Sequence, residues 1–106
     1  MTISRYPAPS HTLLHLSDTH LVEDRRGLYG VIDSDANLAA LLDRLRAAGT
    51  HLDGIVLTGD LADHGAPDAY DRLRALIEPF AAEKNCPIVW VMGNHDDRAV
   101  FREHLL

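Results

Sequence analysis

Three short apolar runs, Thr12–Ser17 (TLLHLS), Gly54–Thr58 (GIVLT) and Ile88–Met92 (IVWVM), alternate along the chain with stretches whose apolar residues recur at helical spacing. Runs of five or six residues bounded by turn formers read as buried parallel strands. Between the first two, Leu38, Leu41, Leu42 and Leu45 fall at i, i+3, i+4 and i+7, the stripe of an amphipathic helix. Asp33, Ser34 and Asp35 offer N-caps for it, and Gly49 is placed to end it. A second helix is expected from Pro67–Asp68, with Tyr70, Leu73, Ile77 and Phe80 on one face. Pro79 lacks an N–H and should kink or end that helix near Glu78. A third helix is expected from about Asp97 and still running at Leu106, without a stop signal, which reads as a fragment of a longer domain. The fold class is therefore α/β, in the order β-α-β-α-β-α. Right-handed crossovers would set three parallel strands side by side with helices on the faces. Residues 1–11, with Pro7, Pro9 and Ser10, read as an irregular arm, and 106 residues suffice for one domain only.

Each run ends on residues that bind metals. The first is followed by Asp18-Thr19-His20, the second by Gly59-Asp60-Leu61-Ala62-Asp63 and the third by Gly93-Asn94-His95-Asp96. In open α/β sheets ligands gather beyond the carboxyl ends of the strands. Three segments thus bring carboxylates, imidazoles and an amide to one edge. Asp18 and His20 are two apart and point to the same side if the strand persists. Asp60 has two oxygens and can bridge two cations, while Asn94 offers a neutral amide oxygen. Such mixed ligation suits iron, manganese or zinc better than an all-oxygen calcium cage. A two-metal centre can clamp both the attacking and the leaving oxygen of a phosphoryl transfer.

Taken singly these residues have ordinary readings: Asp60 as a helix N-cap, Asn94 as a turn residue. Their coincidence on three successive strand ends is what no structural rule requires. Asp96 and Asp97 read as caps of the third helix. His15 reads as a packed, hydrogen-bonded core residue or a support for the site, Trp90 as core and His64 as a loop residue at the rim. His11, His51 and His104 read as surface or helix-end histidines. Arg25, Arg26 and Tyr29 lie in the loop after the first motif, where substrate contacts could form as readily as a solvated loop without a role.

Together the motifs D-x-H, G-D-x-x-D and G-N-H-D resemble the calcineurin-like metallophosphoesterases. The strings LLHLSDTHL, VLTGDLAD and VWVMGNHDDRA are similar to the class III cyclic-nucleotide phosphodiesterases, particularly their mycobacterial branch. The resemblance runs from about Leu13 to the last residue. It implies that this chain is the N-terminal part of a four-layer αββα sandwich whose C-terminal half, with further histidine ligands, is absent. It implies hydrolysis of 3′,5′-cyclic nucleotides, cyclic AMP first, at two metal ions: iron and manganese, or else zinc, cobalt, nickel or magnesium. By the same resemblance Asp18 and His20 bind the first ion, Asp60 bridges and Asn94 binds the second. His95 would face the phosphate as general acid or charge stabiliser for the leaving 3′-oxygen, and Asp63 would orient it. His20, Asp60, Asn94 and His95 would meet the substrate. The alternatives are another phosphodiester or phosphomonoester substrate, or an inactive metal-binding fragment that needs its missing half.

Composition narrows the partners. The net charge is −6, and Arg25–Arg26 is the one basic pair, so a stable nucleic-acid complex is not expected. A phosphate substrate is still allowed, because bound cations supply positive charge. Cys86 stands alone, which excludes an intrachain disulfide, and neither a signal-like nor a membrane-length apolar run occurs. The reading is a cytoplasmic chain that associates as a dimer, because its last strand would otherwise be an open edge with an apolar face.

Overall fold

The computed structural model describes residues 9–21, 33–62 and 66–106. The element order is β1 (Leu13–Ser17), α1 (Ser34–Ala48), β2 (Gly54–Thr58), α2 (Pro67–Lys84), β3 (Ile88–Trp90) and α3 (Arg98–Leu105). The strands form one parallel sheet in the order β1-β2-β3. Because all run the same way, the segments following Ser17, Thr58 and Trp90 leave the sheet at one edge.

Register and burial show which face the helices cover. Leu14 pairs with Ile55 and Ile55 with Ile88, while Leu16 pairs with Leu57 and Leu57 with Trp90. These rows pack into one core with Leu38 and Leu42 of α1, Leu73, Ile77 and Phe80 of α2, and Phe101 and Leu105 of α3. The intervening residues face the other way, and Leu13, Val89 and Val91 are 64%, 53% and 45% exposed. Helices packed on a three-stranded parallel sheet were expected, and among the described residues the core they build lies on one face. His15 belongs to the open face. It is exposed and hydrogen-bonds through Nε2 to Thr58 Oγ1 at 2.7 Å, so it is paired but is not a core residue. Trp90 is half-buried against the core, as expected.

Helix boundaries follow local chemistry. Asp33 caps α1 by accepting from the Ala36 N–H, and Gly49 closes it with φ +65°. Asp97 caps α3 by accepting from the Val100 N–H. Pro67 starts α2 without needing a donor. The expected break at Pro79 does not occur, and α2 runs on to Lys84. Pro79 and Ala75, one turn before it, are both exposed. Water can therefore take the carbonyl that lacks its helical donor, while Phe80 and Ala81 remain buried and hold the last turn in place. Asn85, in the left-handed region at φ 53°, then ends the helix.

β3 is shorter than the Ile88–Met92 run, although Val91 still donates to the Leu57 carbonyl at 2.8 Å. Two reciprocal contacts tie the start of β1 to the start of β2. The Asp53 N–H donates to the Thr12 carbonyl, and the Thr12 N–H donates to Asp53 Oδ2, both at 2.8 Å.

Candidate metal centre

The loop after β1 follows the loop after β2 instead of folding away. Asp18 N–H donates to the Thr58 carbonyl, His20 N–H to the Asp60 carbonyl and Leu21 N–H to the Leu61 carbonyl, at 3.0–3.1 Å. The Thr19 hydroxyl adds a bond to the Leu61 carbonyl at 2.8 Å. Asp18 and His20 both have positive φ, 58° and 47°. The strand therefore ends at Ser17, and the pair does not project as alternate residues of a continuing strand. The backbone twist brings them together all the same, with His20 Nε2 lying 3.6 Å from Asp18 Oδ1. Positive φ at non-glycine residues costs on the order of 1–3 kcal/mol and persists where the surroundings impose it. Here the inter-loop ladder imposes it.

Asp60 is the centre of the group. Its carboxylate is buried, and Oδ1 accepts the His95 N–H at 2.8 Å. Oδ2 lies 3.9 Å from His20 Nε2 and 4.0 Å from His95 Nε2. The two imidazole rings stand edge to face with centroids 5.9 Å apart. His20, Asp60 and His95 each offer a ligand atom within 4.8 Å of the others. Two ligands bound to one ion at ~2 Å each lie within about 4 Å of one another; Asp60 Oδ2 already stands at that spacing from each imidazole, and the trio would draw in slightly to close on a nitrogen- and oxygen-binding metal. The Ser17 hydroxyl, donating to Asp18 Oδ2, and the Asp60 N–H, donating to Oδ1, hold the Asp18 carboxyl below the usual carboxylate range. These bonds favour the ionised form of Asp18.

Two glycines let the loops approach. Gly59 has φ +72°, and a Cβ there would stand 2.5 Å from Asp18 Oδ1. A Cβ on Gly93 would stand 2.5 Å from the Gly59 carbonyl oxygen and would overlap Asp60.

Of the residues singled out in the sequence, the structure brings Asp18, His20, Asp60 and His95 together. Asn94 lies on the same loop as His95 and is exposed. His95, read from sequence as an acid, stands where its ring could equally serve as a ligand. Asp63, His64, Arg25, Arg26 and Tyr29 lie outside the described residues.

The reading of Asp96 as a helix cap is corrected: Asp97 caps α3, and Asp96 is buried behind the site. It accepts from the N–H groups of Leu61, Ala62 and Gly93 and from the Tyr70 hydroxyl. The signal was Tyr70 itself, because a tyrosine in the buried stripe of a helix needs a partner for its hydroxyl. A cavity of about 290 Å³ adjoins the site, lined by Asp18, Thr19, His20 and by Ser34, Asn37, Leu38 and Leu41 of α1.

Residues 11–106 match the calcineurin-like phosphoesterase family. The chain belongs to that family. A cAMP/cGMP dual specificity phosphodiesterase of Mycobacterium tuberculosis is 54% identical over 103 residues, which are 97% of this chain and 32% of that protein. A probable cyclic nucleotide phosphodiesterase of Rhodococcus erythropolis is 48% identical over 97% of this chain and 34% of its own length. A glycerophosphodiester phosphodiesterase of Enterobacter lignolyticus is 34% identical over 88% of this chain and 32% of its own length. This calcineurin-like chain spans about a third of the length of these relatives.

Proposed function

We propose that this chain carries part of a binuclear metal centre that hydrolyses the phosphodiester of a 3′,5′-cyclic nucleotide, cyclic AMP foremost. The observation that carries the reading is the convergence of Asp18, His20, Asp60 and His95 from three separate strand ends. The names of two relatives that match 97% of this chain support the substrate class.

Asp18 and His20 would hold one ion, Asp60 would bridge, and Asn94 would hold the second, with iron and manganese as the metals and zinc, cobalt, nickel or magnesium as substitutes. When bound, the ions supply Lewis-acid polarisation of the phosphoryl oxygens and lower the pKa of the attacking water. The side chains do the rest. His95, which is exposed, would give a proton to the leaving 3′-oxygen; by the family resemblance Asp63 would have the role of orienting it. Asp60, held through Oδ1, keeps Oδ2 toward both imidazoles.

A second reading has its own support: identity with a glycerophosphodiester phosphodiesterase favours a broader phosphodiester substrate. Turnover of this chain with manganese, offered cyclic AMP, a glycerophosphodiester and DNA side by side, separates the readings. Preference for cyclic AMP upholds the first and preference for the glycerophosphodiester the second. Bound manganese without turnover means that the chain binds metal but needs the remainder of a longer protein to act.

A further inference from the structure

The loops after β2 and β3 each carry a carboxylate that is satisfied by the other loop. Asp60, on the first, accepts the His95 N–H from the second at 2.8 Å. Asp96, on the second, accepts Leu61 N–H at 3.0 Å and Ala62 N–H at 2.8 Å from the first. Asp96 also accepts Gly93 N–H at 2.8 Å from its own loop. One contact comes from outside the loops, the Tyr70 hydroxyl of α2, which donates to Asp96 Oδ1 at 2.7 Å. Asp96 is 8% exposed and Tyr70 0%. All four groups around Asp96 are donors, and only a carboxylate can accept from all of them at once.

The geometry points to Tyr70 and Asp96 as a positioning pair that fixes how far Asp60 stands from His95, and so tunes metal binding at the group Asp60 shares with His20 and His95. This rests on the metal-centre reading. The reasoning turns on the two oxygens of Asp60. Oδ1 is tied to the β3 loop, and Oδ2 is the oxygen that faces both imidazoles at 3.9 and 4.0 Å. Any slide of one loop against the other therefore changes those spacings directly. Asp96 resists the slide by gripping backbone on both sides. Tyr70 stops the Asp96 carboxylate from turning, and it is anchored in the core edge to face with Phe101, at a centroid distance of 6.3 Å. The hydrogen bonds of Asp96 run to the backbone of both loops and to Tyr70, so the pair acts through the loops.

The test uses the 106-residue chain with three variants. Tyr70→Phe removes only the hydroxyl and keeps the ring in its packing. Asp96→Asn turns one acceptor oxygen into a donor facing donors. Phe80→Leu disturbs the core of the same helix away from the loops.

Amide exchange of the metal-free chain is read by NMR, and affinity is read by titration with Mn²⁺ alone. Tyr70→Phe is expected to speed exchange at the His95 N–H about tenfold and to weaken Mn²⁺ binding about tenfold, the low end of what supporting partners of metal ligands contribute. Asp96→Asn should move both further. Phe80→Leu should lower the urea midpoint yet leave both readouts near wild type.

The His95 amide is the decisive probe, because it donates to Asp60, the carboxylate whose position the pair is proposed to fix. Wild-type exchange at His95 in Tyr70→Phe, or equal effects from Phe80→Leu, would overturn the proposal. Asp96→Asn moving the readouts less than Tyr70→Phe would overturn it too. If the unaltered chain takes up no Mn²⁺, the metal-centre reading fails for this chain, while the exchange of His95 still decides the pair.

Discussion

Gly93 and Asp60 meet at van der Waals limits, which makes glycine a chemical requirement there and not a convenience of the turn. A methyl at residue 93 would overlap both the Gly59 backbone and the Asp60 carboxylate. Gly93→Ala should therefore cost about 1–3 kcal/mol of stability, as overpacking does, and should weaken manganese binding as well. Urea unfolding and metal titration of the same preparation check both. Removing the carboxylate is a cleaner change. Asp60→Ala leaves the His95 N–H without its acceptor and takes away the oxygen facing both imidazoles. Metal affinity should fall by more than the ~10–100-fold seen when a mere supporting residue is lost. His95→Ala distinguishes two roles for one ring. If His95 is the acid, manganese stoichiometry holds while kcat drops by about 10²–10⁴-fold. If metal is lost along with activity, the ring is a ligand and the proton donor must be sought elsewhere.

At the scale of elements, the joint between β1 and β2 has a pH signature. The Thr12 N–H, and after it His51, hold the Asp53 carboxyl below its ordinary value. A carboxylate whose folded pKa is depressed contributes stability that is complete above its unfolded pKa, about 3.9. That contribution is lost as pH falls through the unfolded value and on through the lower folded one. The urea midpoint of wild type should thus drop below about pH 4 more steeply than that of Asp53→Asn. Parallel curves would remove Asp53 from the account. The elements themselves were legible in the sequence because short apolar runs and 3.6-residue stripes differ in period, and because Asp33, Gly49 and Asp97 are position-specific caps. The expectation that α2 could end at Pro79 failed because an interior proline ends a helix only where the orphaned carbonyl has no other partner, and exposure cannot be read from spacing. Asp18, His20 and Asp60 were legible as a group, since parallel strands must end at one edge. The role of Asp96 was not, because it depends on which backbone amides two distant loops turn inward. The left-handed twist at Asp18 and His20 was hidden for the same reason.

At the scale of the whole molecule, the sheet is the unfinished part. Parallel sheets are normally covered on both faces, since their strands carry apolar side chains on each side. Here one face holds the core, while the other leaves Leu13, Val89 and Val91 exposed around the His15–Thr58 contact. Among the described residues no helix is long and apolar enough to cross a membrane. Water is a poor partner for three aliphatic residues on one sheet face, and each is worth about 1.5–3 kcal/mol when fully buried. A second copy offers the same apolar face, and a two-fold axis through it would bury both at once. The chain in isolation is therefore expected to run as a dimer in size-exclusion chromatography with light scattering. Val89→Lys should shift it to monomer without unfolding it, because residue 89 points away from the core and its charge meets solvent. Far-UV circular dichroism would verify that the variant is folded. A monomeric wild type would sink the prediction. A variant that unfolds instead of dissociating would mean that residue 89 supports the chain's own packing, and the open face would then be part of the core.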